Sequence, residues 1–84
     1  MFDVYMIFRS VTHGQAGKAA LDRGQIPAKL IRSPRALSPE GCAYALILRE
    51  RDLDRAAELL RQADARVAAC YRRSRDGSFE RLML

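Results

Sequence analysis

Alternation of apolar and polar positions is clearest at the start of the chain. Phe2, Val4, Met6 and Phe8 alternate with Asp3, Tyr5, Ile7 and Arg9. A period of two predicts a strand with one wholly apolar face. Ser10 or Thr12 is placed to cap a helix after it. That helix is weak on propensity, because Gly14 and Gly17 each cost about 1 kcal/mol relative to alanine. Ala16, Ala19, Ala20 and Leu21 give it a small-residue face suited to lying close on a sheet, and Gly24 is its natural stop. Pro27 precedes a second strand, Ala28 to Arg32, and a third is expected from Cys42 to Arg49. Asp52 then stands at the cap position of a second helix, where Leu53, Ala56, Ala57 and Leu60 follow the i, i+3, i+4, i+7 pattern. A last strand is expected over Arg66 to Arg72, and Asp76-Gly77 signals a turn.

The predicted order is β-α-β-β-α-β, which predicts an α+β fold: a ferredoxin-like sandwich with two helices on one face of a four-stranded antiparallel sheet. Residues 1–75 would form this single domain. Residues 76–84 would form a short apolar tail, with Phe79, Leu82, Met83 and Leu84, packing on the domain or on a partner subunit. If Phe2, Val4, Met6 and Phe8 meet the helices, Tyr5 faces the other way. On the third strand Cys42, Tyr44, Leu46 and Leu48 share one face, and Ala43, Ala45 and Ile47 share the other. The alanines suit close helix packing, so Cys42 and Tyr44 are expected to join Tyr5 on the open face. A patch of Tyr5, Tyr44, Leu46 and Leu48 is too apolar to leave bare. A symmetric homodimer, or the tail itself, is the expected cover.

Composition narrows the class. The chain has 84 residues, a formal charge of +5, and 13 arginines among its 15 cations. That charge leaves anionic partners open, nucleic acid included, although the cations are spread along the chain and a solvated basic surface is the plainer reading. No apolar run approaches the roughly 18 residues of a membrane span, and the N-terminus lacks a basic-then-apolar signal, so a cytoplasmic protein without membrane contact is expected. Two cysteines and one histidine do not assemble a zinc set, so neither metal nor cofactor is expected. Hydrolytic signatures and phosphate-binding glycine loops are absent, which argues against an enzyme in its own right.

The chemistry-bearing stretch is Lys29-Leu30-Ile31-Arg32-Ser33-Pro34-Arg35, continuing to Gly41-Cys42-Ala43-Tyr44-Ala45-Leu46. Pro34 and Pro39 bracket a loop, and Gly41 frees the backbone just before the cysteine. Arg32 and Arg35 place fixed cations on the approach to Cys42, and a thiol beside positive charge tends toward the nucleophilic thiolate. The residues alone leave two readings of Cys42: a reactive thiol, or a small buried hydrophobe. Cys70 lies among alanines with no loop beside it and reads as packing, though a resolving partner for Cys42 stays open. His13 reads as a helix-start or surface residue.

Leu30-Ile31-x-Ser33-Pro34-Arg35, Leu37-Ser38 and Cys42-x-x-Ala45-Leu46 together resemble the selenium/sulfur carrier protein-like family. That family typically shows Leu-Ile-Pro-Thr-Pro-Arg-x-Ile-Ser followed by Cys-Gly-x-Ala. Arg32 replaces its first proline, and Ala43 replaces the glycine after the cysteine. Ser10-Val11-Thr12-His13 resembles the family's Ser-Thr-His segment with an insertion. The resemblance implies a carrier of sulfur or selenium. Cys42 would hold the persulfide or selenopersulfide, Arg35 and Arg32 would bind the anion with Gly41 beside it, and donor and acceptor proteins would be the partners. The alternatives are an RNA-recognition-motif-like binder of single strands and a dimerising module without chemistry. Val4-Tyr5-Met6 and Gly41-Cys42-Ala43-Tyr44 fit the aromatic pattern of the first in part. Glu40, Cys42 and Ala45 depart from it.

Overall fold

The alternating run Phe2–Phe8 forms strand β1, central in a sheet that the remaining elements complete. The computed structural model describes residues 2–38 and 43–83. After β1 come helix α1 (Val11–Arg23), strands β2 (Ala28–Arg32) and β3 (Tyr44–Arg49), and a short 3-10 turn at Glu50–Asp52. Helix α2 (Leu53–Gln62) and strands β4 (Ala69–Arg73) and β5 (Phe79–Leu82) finish the chain. The fold is α+β: two helices and an antiparallel sheet of five strands in the order β2-β3-β1-β4-β5. The expected four strands become five because the apolar tail residues Phe79–Leu82 pair with β4 through the hairpin at Asp76-Gly77. Gly77 there adopts φ 88°, and Ser74 and Ser78 close the turn with a 2.8 Å backbone bond.

Both helices pack on one face. Val4, Met6, Phe8, Leu46, Leu48 and Cys70 meet Leu21 of α1 and Ala56 and Leu60 of α2 in one buried cluster. Leu53, Ala56, Ala57 and Leu60 turn inward as their spacing predicts, but Asp52 makes no side-chain cap bond, because the 3-10 turn leads directly into the helix. In α1 the cap is Ser10, whose hydroxyl accepts from the His13 N–H at 3.2 Å. The inward positions of α1 are Gly14, Gly17, Ala20 and Leu21, while Ala16 and Ala19 are exposed. The two glycines that weaken the helix locally are therefore what lets it lie on the sheet. Gly24 ends α1 with an ordinary negative φ, and Gln25 takes the left-handed turn at 60°. A Cβ on Gly24 would run into Leu59 of α2, so glycine is needed there for space.

Register corrects the faces expected for the third strand. Directly opposed residues of antiparallel strands share a face. Met6 opposes Leu46, Phe8 opposes Tyr44 and Val4 opposes Leu48, so Tyr44, Leu46 and Leu48 lie with the helices. Tyr5 opposes Ile47 and Ile7 opposes Ala45, which puts the alanines on the open face. Small size gave the wrong guide, because α1 achieves its close approach with its own glycines.

The open face carries a second apolar cluster of Tyr5, Ile7, Ala43 and Ala45, flanked by Ile31, Leu37, Ile47, Ala69, Tyr71 and Phe79. Phe79 of β5 meets Tyr5 edge-on at 5.2 Å and 87°, and Tyr71 at 6.5 Å and 81°. Tyr5 is only 7% exposed as a result of this cover. Replacing Phe79 by alanine should lower stability by roughly 1–2 kcal/mol, since two edge-to-face pairs and half-buried apolar area are lost. Urea unfolding followed by circular dichroism measures this. An unchanged midpoint would mean that β5 contributes nothing to the face it covers.

Candidate functional site

The loop after β2 folds onto the open face. The Ser33 N–H donates to the Ala43 carbonyl at 3.0 Å, extending the β2–β3 pairing by one step. The Pro34 carbonyl then accepts from the N–H groups of both Leu37 and Ser38 at 3.0 Å, closing a tight turn. The Ser33 and Ser38 hydroxyls lie 2.9 Å apart, within hydrogen-bond distance of each other. Leu37 packs against the open-face cluster, and Ser38 is buried to 2% exposure. Polar residues at both ends and one leucine between them suffice to pin the turn, because the serines satisfy backbone and hydroxyl groups that burial would otherwise leave unpaired.

Beneath this turn lies a concavity of about 440 Å³. Ser38 and Ala43 are both in its wall. They are the described residues on either side of Pro39, Glu40, Gly41 and Cys42. The anticipated thiol Cys42 and its neighbour Gly41 lie outside the described residues. Ile7, Leu37, Ala68, Ala69 and Tyr71 complete the apolar lining, and Arg9 and Arg81 supply its charge. No carboxylate lines it among the described residues.

The two arginines named from sequence sit elsewhere. Arg32 ends β2 opposite Tyr44, on the helix side of the sheet, and is exposed. Arg35 is exposed on the Pro34–Leu37 turn and does not line the concavity. Arg9 and Arg81 were missed. Arg9 was legible in principle, as it continues the Tyr5–Ile7 alternation onto the open face. Arg81 was not, since its position depends on β5 pairing Arg81 with Tyr71.

Cys70 is a buried packing residue, 1% exposed, opposite Met6 and Leu82 in the helix-side cluster. Burial pushes its thiol up to about 11, opposed by a weaker hydrogen bond from the Tyr71 backbone. A thiol so protonated is a poor nucleophile at neutral pH. His13 sits at the start of α1, where its Nδ1 accepts from the Arg66 N–H at 3.3 Å. That contact gives it a structural role joining α1 to the segment before β4. Tyr5 and Tyr44 lie on opposite faces, so they do not form the paired aromatic platform of an RNA-recognition motif. Among the described residues no three of His, Cys, Asp and Glu come together as metal ligands, and no helix is long and apolar enough to cross a membrane.

No curated protein and no solved structure matches the chain significantly. A family model does, over residues 3–72, which takes in nearly all of β1 and β4 and everything between them, the turn and the Cys42 segment included. The chain belongs to the family described as Putative Se/S carrier protein-like.

Proposed function

We propose that this protein carries sulfur or selenium on Cys42, passing it from a donor to an acceptor protein. The frame is a ferredoxin-like βαββαβ unit with β5 added at its edge. The observation that carries the reading is the position of Ser38 and Ala43. These described residues, which precede and follow the four-residue segment bearing Cys42, are both in the wall of one concavity on the face the helices leave open. Family membership supplies the chalcogen. The other cysteine is unsuited to the task, being buried and protonated.

In the proposed reaction the Cys42 thiolate attacks the terminal sulfur of a persulfide, R–S–SH. A new S–S bond forms on Cys42, the donor's S–S bond breaks, and R–S⁻ departs with the electron pair. A selenium donor reacts in the same sense. Of the guanidinium groups named from the sequence, Arg35, on the turn leading to the segment, is the candidate to stabilise the bound anion, since Arg32 stands on the helix side of the sheet.

Mass spectrometry after incubation with a persulfide donor tests the assignment. One added sulfur is expected on Cys42, none on Cys70, and none on the Cys42→Ser variant. Iodoacetamide should label Cys42 at least about a hundredfold faster than Cys70 at pH 7, since Cys70 has little thiolate and little exposure. Equal, slow labelling of both would leave Cys42 a packing residue.

A further inference from the structure

We propose that the open-face concavity binds a low-molecular-weight persulfide bearing carboxylates, with Arg9 and Arg81 holding the carboxylates and the alanine-rich floor taking the carbon chain. This rests on the carrier reading of Cys42, for which it names the donor.

Size is the first argument. About 440 Å³ far exceeds what a hydrosulfide or a bare selenide occupies, and falls in the range of small-molecule sites. The hollow exists because Ala43, Ala68 and Ala69 place single carbons among Ile7, Leu37 and Tyr71. Larger residues at those three positions would fill it.

Charge is the second. On the helix side of the sheet Arg72 donates to Glu50 at 2.6 Å and to Glu80 at 2.8 Å, so its charge is matched from both sides. Across the sheet, Arg9 and Arg81 are exposed and make no ion pair or side-chain hydrogen bond with another described residue. Two guanidinium groups at the rim of a hollow lined mainly by apolar side chains, with no carboxylate among its described residues, fit a ligand with an uncharged middle and anionic ends. Planar guanidinium forks match carboxylates in two-bond geometry. The side chains of Ile7, Leu37 and the three alanines offer a hydrated polyanion such as a nucleic-acid strand no polar partner.

The transfer conserves atoms and electrons. Cys42–S⁻ and R–S–SH give Cys42–S–SH and R–S⁻; one S–S bond forms, one breaks, and the departing thiolate takes a proton from solvent. No external oxidant or reductant is needed.

The experiment compares two donors on the full chain: glutathione persulfide, which has two carboxylates, and 2-hydroxyethyl persulfide, which has none. Arg9→Glu and Arg81→Glu should each slow sulfur uptake from the first by about tenfold and change uptake from the second by less than about twofold, the size expected for losing a hydrogen bond to a charged group. Arg75→Glu, in the β4–β5 turn away from the concavity, makes the same change in net charge and should leave both rates unchanged. Arg9→Gln and Arg81→Gln serve where a charge reversal disturbs folding, as judged by circular dichroism. In parallel, calorimetry on Cys42→Ser should show S-methylglutathione binding that Arg81→Glu abolishes. Uptake at Cys42 that ignores both arginines overturns the proposed site and leaves the carrier reading standing. S-methylglutathione binding without any sulfur uptake overturns the carrier reading, and with it the donor named here. Neither binding nor uptake overturns both.

Discussion

Replacing Gly17 with leucine should destabilise the protein by about 3 kcal/mol, the upper end of the usual cost of overpacking a core. Even a single Cβ at this position would lie 3.0 Å from Leu60 Cδ2, 3.1 Å from Leu46 Cδ1 and 3.2 Å from Phe8 Cζ. All three neighbours are at most 1% exposed, and they come from α2, β3 and β1. None can move without disturbing another, because the interior is close-packed. The helix must therefore retreat from the sheet. Gly17→Ala should cost less, since about 1 kcal/mol of helix propensity is regained against the crowding. Ala16→Leu, one residue away on the exposed side, should change stability by less than about 0.5 kcal/mol. Urea unfolding of the three variants gives the comparison. Gly17→Leu as stable as the parent would show that α1 does not rest on these residues.

Raising the pH from 8 to 11 should remove roughly 2–3 kcal/mol of stability through Cys70 alone. Its thiol ionises at about 11 when folded, against 9.0 for an unperturbed thiol. Between those values the unfolded chain releases the proton and the folded chain keeps it. Deprotonation thus favours the unfolded state, and stability falls as pH rises through this window. Below pH 9 both states hold the proton, and the contribution is constant. The informative quantity is the stability difference between the parent and Cys70→Ala, which isolates this one thiol. That difference should shrink by the stated amount between pH 8 and 11. Parallel pH curves would mean that Cys70 reaches water when ionised, contrary to its position between Met6 and Leu82.

The same burial bears on the chemistry of the family to which the chain belongs. Of the two thiols, Cys70 is sequestered in the helix-side core, and its protonation removes it from thiol exchange near neutrality. The proposed carrier chemistry rests on Cys42, in the segment between Ser38 and Ala43, which both line the concavity. Arg9 and Arg81 extend that site beyond the motif: Arg81 lies outside the matched residues 3–72 altogether.

The sequence by itself determined the class of fold and most of its elements. Alternation in Phe2–Phe8 and the Leu53, Ala56, Ala57, Leu60 spacing are local periodicities, and the faces they define are properties of single elements. A cap at Ser10 or Thr12 and a turn at Asp76-Gly77 follow equally from local chemistry, and the structure selects Ser10. The motif from Leu30 to Leu46 carried the family, because it is contiguous. What only the tertiary structure decided was how faces pair. Period-two alternation on β3 gives two faces without saying which is inside. The opposition of Met6 to Leu46 and of Tyr5 to Ile47 sends Tyr44 to the helices and the alanines to the open side. The fifth strand was hidden for a related reason: Phe79–Leu82 is too short and too charged to announce a strand, and forms one by hydrogen-bonding to β4 and laying Phe79 on Tyr5. Arg81 could join the concavity only after that strand existed. A binding surface assembled from β1, β4, β5 and the turn after β2 has no signature in any one stretch of chain, because its residues become neighbours through pairing alone.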